Sequence, residues 1–216
     1  MGISLRAAAA AAGCAFVAAG AANAAFVYSS ASRSVDITVN SAVVDSESTT
    51  AFGGWFGTAN ANSDGYSALA QQGSGLSSLE MSLVGSASAD AVATAAIVAR
   101  STADISFIAS ASESISWIAS LGSGSSGGAA PGALVVRVTD STTGSVILAF
   151  SGPTAGSGSF TVVSGRSYRV EVSAIAAVQG GGLSAANYSV GFFAPVPAPG
   201  AIALLGLAGL AGRRRR

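Results

Sequence analysis

Tyr168-Arg169-Val170-Glu171-Val172-Ser173-Ala174 alternates without a break between apolar side chains and polar or charged ones. Residues two apart share a face only in an extended chain, so the stretch reads as a half-buried β-strand and not as a helix, whose period is about 3.6. The same period recurs on either side. Ile105, Phe107 and Ala109 alternate with Asp104, Ser106 and Ile108, while Leu134, Val136 and Val138 alternate with Val135, Arg137 and Thr139. Further strands are expected at 35–39, 79–84, 115–121, 146–150, 160–163 and 188–193, separated by Gly/Ser/Pro turn clusters such as 122–132 and 151–158. The stretch 87–99 has the composition of a helix, but Ser/Ala alternation on both sides favours a long strand. Roughly nine or ten short strands in about 170 residues, with no long amphipathic helix, predict an all-β fold: an antiparallel β-sandwich of jelly-roll type.

Composition narrows the chemistry. Of 216 residues, 47 are Ala, 36 Ser and 28 Gly, so bulk for a core must come from about 61 larger apolar and aromatic side chains, enough for one domain. There is no His and no Lys, and Cys14 is the only cysteine. Serine–histidine and cysteine–histidine catalysis, serine–lysine dyads and Cys/His metal cages are thereby excluded. The expectation is a non-enzymatic protein without a cofactor or metal.

The ends differ from the middle. Met1 to Arg6 carries one positive side chain, and 7–20 is apolar and uncharged, long enough for a signal-peptide core and too short for a stable span. Ala22 and Ala24 place small residues where signal peptidase inspects them, so cleavage is expected after Ala24. Two other readings compete: an Ala-rich helix buried in the domain, and a lipoprotein box ending at Cys14. The charged start argues against the first, and the apolar run past Cys14 against the second. Cleavage would leave a mature chain with no thiol and no disulfide, held together by packing alone.

At the other end Val196-Pro197-Ala198-Pro199-Gly200 leads into the wholly apolar 201–212, and Arg213, Arg214, Arg215 and Arg216 close the chain. The prolines keep an extended, accessible strip, the apolar run enters lipid, and the arginines hold the cytoplasmic side. Twelve helical residues reach about 18 Å against a hydrocarbon core of about 30 Å, so a transient hold is expected and not a permanent anchor. A basic tail that contacts nucleic acid is the competing reading, opposed by the apolar run that abuts the arginines.

These three parts in series resemble the PEP-CTERM sorting signal of Gram-negative bacteria that make exopolysaccharide. The likeness covers Val196 to Arg216, and departs from the family's pattern at Ala198, where the name-giving box has Glu. It implies that an exosortase, a membrane-embedded cysteine transpeptidase, recognises Pro197 and Pro199, removes the tail and passes the protein to the cell surface or the extracellular biofilm matrix. The expected divisions are a signal peptide at 1–24, a β-sandwich at 25–194 and a sorting signal at 195–216, with a signal-peptide helix and a short membrane helix flanking the sandwich. Signal peptidase and exosortase are the expected processing partners, with the inner membrane a temporary one.

Five of the ten arginines lie in the two signals and all ten acids lie between them, so the central domain carries a balance of minus five. With no lysine it has no electrostatic footprint for phosphate backbones, and no nucleic-acid partner is expected. Ser and Ala on strand faces neither repel nor interlock, which leaves edges weakly protected and makes lateral assembly a live hypothesis.

Candidate sites in the domain are few. Trp55 and Phe56, set among glycines in an expected loop, and nearby Tyr66 could stack on sugar rings; the alternative is that Trp55 and Phe56 fold back as core bulk. Trp117, in phase with Ile115 and Leu121, reads as core. Asn60 to Gly65 matches the opening of a calcium loop, but position twelve is Gln71 and the first ligands are amides, so an Asn/Gly turn is expected. Asp45 and Glu47 share a strand face and read as solvated surface acids. Asn187-Tyr188-Ser189 matches a glycosylation acceptor, a three-residue pattern that carries almost no information. The leading expectation is a structural or adhesive surface protein; the alternative is a module that binds carbohydrate, with exopolysaccharide as its partner; third is a glycan-cleaving enzyme with two facing carboxylates.

Overall fold

Period-two patterning is realised along nearly the whole domain. A computed structural model describes residues 25–92 and 94–195, and over these the chain forms twelve strands and no helix. They are β1 (Phe26–Val39), β2 (Ala42–Thr49), β3 (Trp55–Ser63), β4 (Tyr66–Leu76), β5 (Glu80–Ala91), β6 (Ala96–Ala109), β7 (Glu113–Ser126), β8 (Ala133–Asp140), β9 (Ser145–Ser151), β10 (Thr154–Val162), β11 (Ser167–Gln179) and β12 (Gly182–Phe193). Both expected terminal helices, and every residue of the two signals except Pro195, lie outside the described residues.

Two six-stranded antiparallel sheets result. Sheet A runs β2-β1-β6-β11-β8-β9 and sheet B runs β10-β7-β12-β5-β4-β3. Within β5 to β12 the pairing is nested: β8 with β9, β7 with β10, β6 with β11 and β5 with β12. One long antiparallel ribbon is thus rolled up, and rolling creates the seams β8–β11 and β7–β12. The β1–β2 hairpin widens sheet A beside β6, and β3–β4 widens sheet B beside β5.

The expectation of nine or ten short strands is corrected to twelve, several of them 12 to 14 residues long. β3 and β4 give no apolar alternation because, apart from Trp55, Tyr66 and Leu76 at their ends, their inward positions hold Gly, Ala, Gln and Ser. The region 87–99 is extended, yet it breaks after Ala91 and resumes at Ala96 in the other sheet. The turn clusters are shorter than expected: β7 runs on to Ser126, and β10 begins at Thr154.

The core lies between the sheets. Val35, Ile37, Ile105, Phe107, Val136, Val138, Val170 and Val172 are buried on sheet A, and Leu83, Ile115, Tyr188, Val190 and Phe192 are buried on sheet B. Where facing side chains are small the gap is filled by reach. Tyr188 leans across Gly85 so that its hydroxyl meets the Ser101 hydroxyl of the opposite sheet at 3.1 Å. A Cβ at Gly85 would stand 2.4 Å from both Ser101 Oγ and Tyr188 Cζ, so only glycine fits. Burial pushes the Tyr188 phenol up to about 12, against the lowering effect of its Ser101 bond.

One buried charge has no local signal in the sequence. Arg33 on β1 points inward and is fully covered. Its guanidinium donates to the Gly53 carbonyl at 3.0 Å, to Ser74 Oγ at 2.7 Å and to the Ala51 carbonyl. The Trp55 ring lies 5.8 Å from the charge, a cation–π contact. Among the described residues no carboxylate joins it, and burial lowers its pKa. Arg33 therefore ties the β2–β3 connection, which crosses from sheet A to sheet B, onto the body of the sandwich.

Candidate functional site

Register sets what each outer face presents. On sheet A the face is charged and internally paired: Arg100 with Asp36 at 2.9 Å, and Arg169 with Asp104 and with Glu171 at 3.1 Å. The bonds from Arg169 hold a bidentate geometry, and they raise its pKa. A shallow depression on this face is lined by Asp104, Arg137 and Glu171. Asp104 and Glu171 are already partnered by Arg169, which leaves two of the three charges of the depression with little to offer a ligand.

Sheet B presents the opposite surface. Gly122, Asn187, Ser86, Gln71 and Thr58 lie side by side across five strands, and the next row holds Ser120, Ser189, Val84, Gly73 and Phe56. At a strand spacing of about 4.8 Å each row spans about 19 Å. None of these ten side chains is charged. Phe56 is 65% exposed, and its ring lies 3.7 Å from where a Cβ at Gly73 would be. Beside it a groove of about 340 Å³ is lined by Gln71, Ser86, Asn187 and Ser189, with glycines along its floor. Amides and hydroxyls both donate and accept, and next to an exposed aromatic face they suit a neutral ligand rich in hydroxyls. No carboxylate lines the groove among the described residues.

The expected aromatic site divides. Trp55 and Phe56 stand on a strand and not in a loop, so alternation sends them to opposite faces. Trp55 turns inward, fills the space above Gly57 and covers Arg33, as the core-bulk alternative holds. Phe56 turns outward onto the groove. Tyr66 begins β4, is half-buried and packs against the core, so it does not join Phe56. Trp117 is an inward residue of β7, half-buried against Phe150 with ring centroids 5.0 Å apart.

Asp45 is half-buried and Glu47 exposed, in keeping with surface acids, and both also cap a sheet edge. Asp45 Oδ2 accepts the Asn60 N–H at 2.7 Å, and Glu47 Oε2 accepts the Thr58 N–H at 2.9 Å. Carboxylates on the edge strand of sheet A thus occupy amides of the edge strand of sheet B and close that side of the sandwich. The Asn60–Gly65 segment forms the β3–β4 hairpin, a two-residue Asp64-Gly65 turn with Gly65 at φ +95°, which is the turn the sequence predicts. Gln71 lies on the groove, opposite Thr58. Asn187 lies exposed within β12.

Gln71 and Asn187 were missed as site residues. They stand 116 positions apart in the chain, and only the pairing of both with Ser86 of β5 brings them together, so no local motif could reveal them. The signal residues Ala22, Ala24, Val196, Pro197, Pro199, Gly200, Arg213, Arg214, Arg215 and Arg216 fall outside the described residues.

Fold and surface together define an all-β protein of two antiparallel sheets, with one charged face and one face whose middle rows are uncharged and carry an aromatic. No family model, no curated protein and no solved structure matches the chain.

Proposed function

We propose that the chain is an exported, exosortase-processed protein of the cell surface or extracellular matrix of a Gram-negative bacterium, built around a non-catalytic jelly-roll sandwich with a structural or adhesive role. A signal-peptide helix and a short membrane helix flank the sandwich in the precursor. The observation that carries the reading is the serial order Pro197-Ala198-Pro199, apolar 201–212 and Arg213 to Arg216, starting four residues after Phe193, the end of β12. The nested pairing of β5 to β12 supports the jelly-roll assignment. The test is intact mass from the native host, compared with an exosortase-deficient strain and a Pro197→Ala, Pro199→Ala variant. A wild-type chain that begins at Ala25 and lacks Arg213 to Arg216, with the tail kept in the other two, supports the proposal. Arginines present in all three overturn it.

Phe56 favours a second reading, that the uncharged middle rows of sheet B bind polysaccharide. An exposed ring beside Gln71 and Asn187 matches the alternation of apolar faces and hydroxyls on a sugar chain. Affinity electrophoresis in gels that contain the host's exopolysaccharide tests it: Phe56→Ala should abolish retardation, whereas Trp55→Phe should keep it. Equal retardation of Phe56→Ala and wild type refutes the reading.

A further inference from the structure

The sandwich has four sheet edges, and three of them carry protection. On β2 the ladder to β1 is broken by a register shift between Ile37 and Thr38, and the strand bears Asp45 and Glu47. On β3 the Thr58 and Asn60 amides are taken by those same carboxylates. β9 is seven residues long, with a register shift in its ladder between Val138 and Thr139. Bulges, short length and charge are the devices that stop a free edge from pairing with another strand.

β10 has none of these. It runs nine residues, Thr154-Ala155-Gly156-Ser157-Gly158-Ser159-Phe160-Thr161-Val162, in unbroken register with β7 from Leu121 to Glu113. It bears no charge and is exposed from Thr154 to Ser159. Beneath Gly156 and Gly158 lies the Trp117 indole, which is only half-buried and packs at a tilt against half-buried Phe150 of β9. An aromatic seam is therefore left open between two free edges, on the side opposite the one that Asp45, Glu47 and Arg33 close.

We propose that the protein forms a two-fold dimer by antiparallel pairing of β10 with β10 of a second copy. The backbone groups of a free edge are complementary to an extended strand. A second copy is the fitting occupant because pairing a strand with itself about a two-fold axis sets Ser and Gly opposite Ser and Gly, without clash or like-charge contact. The added strand extends sheet B and shields the Trp117–Phe150 seam. The proposal does not depend on how the chain is sorted.

Sedimentation velocity of the purified protein at micromolar concentration tests it with two variants, Ser157→Lys with Ser159→Lys and Ser157→Glu with Ser159→Glu. The wild type should sediment as a dimer. Each variant should weaken dimerisation by about a hundredfold, because like charges meet across the two-fold axis, while the circular dichroism of the sandwich is unchanged. An equimolar mixture of the two should restore the dimer by pairing Lys with Glu. A monomeric wild type overturns the proposal, as do variants that remain dimeric alone or a mixture that stays monomeric.

Discussion

Gly85→Ala should destabilise the sandwich by about 2–4 kcal/mol. The added methyl would stand 2.4 Å from Tyr188 Cζ, 2.5 Å from its hydroxyl oxygen and 2.4 Å from Ser101 Oγ, all about 1 Å inside ordinary contact. Neither neighbour can swing clear: Tyr188 is held between the sheets, and Ser101 is a fully buried residue of β6. Overpacking by one methyl in a dense core costs about 1–3 kcal/mol. Moving the phenol breaks its 3.1 Å bond to Ser101 and strands two buried hydroxyls, for about 1–3 kcal/mol more. The lower backbone entropy of alanine in the unfolded chain returns about 0.4–1 kcal/mol. Urea unfolding monitored by circular dichroism reads the difference, which corresponds to a Tm lower by about 6–12 °C for a domain of this size. Gly124→Ala is the control, since a Cβ there meets nothing within 4 Å, and it should lie within about 0.5 kcal/mol of wild type. Tyr188→Leu removes the colliding atoms, so combined with Gly85→Ala the loss should fall short of the two separate losses by at least about 1 kcal/mol. A Gly85→Ala protein as stable as wild type, or strict additivity in the pair, would refute the packing of Tyr188 over Gly85.

Asp45→Ala with Glu47→Ala should cost only about 1 kcal/mol in urea, because both carboxylates are partly solvated, but it frees the Thr58 and Asn60 amides and should raise the rate of thioflavin-positive aggregation; unchanged aggregation counts against edge capping. Stability should decline at alkaline pH. The Tyr188 phenol is held near 12 against about 10 when unfolded, so its neutral form contributes about 2–3 kcal/mol that is present below pH 10 and lost as pH rises toward 12. Tyr188→Phe should flatten that slope in a pH series of urea melts. At the acid end burial raises the Asp140 carboxyl, but the bond from Arg166 at 2.9 Å and the Thr142 and Thr143 amides outweigh it and hold the pKa below the usual carboxylate value. That contribution is present above about pH 4 and lost as pH falls through the folded-state value, so Asp140→Asn should melt at a lower temperature at neutral pH and converge with wild type in acid.

Strand-forming stretches could be found in the sequence wherever bulky residues alternate with polar ones, as in Tyr168 to Ala174 and Leu134 to Thr139. They were invisible where inward positions carry Ala, Gly and Gln, as in β3 and β4, because a side chain too small to mark a face leaves no period to detect. The aromatic half of the candidate site was legible as Trp55-Phe56. Their separation onto opposite faces followed only once that segment was a strand. The amide half, Gln71 and Asn187, was not legible at all.

What the chain establishes locally is its alternation, its Asp64-Gly65 turn, its lack of His and Lys, and the order of charged, apolar and Pro-containing segments at its ends. Each of these depends on neighbours within a few residues, so a linear reading captures it. Burial of Arg33 without a counter-charge, the reach of Tyr188 across Gly85, the use of Asp45 and Glu47 as caps and the bare edge of β10 depend on which strands become neighbours. Rolling a long ribbon into two sheets sets those contacts, through pairings between residues as far as 113 positions apart in the chain, as where Phe193 of β12 meets Glu80 of β5.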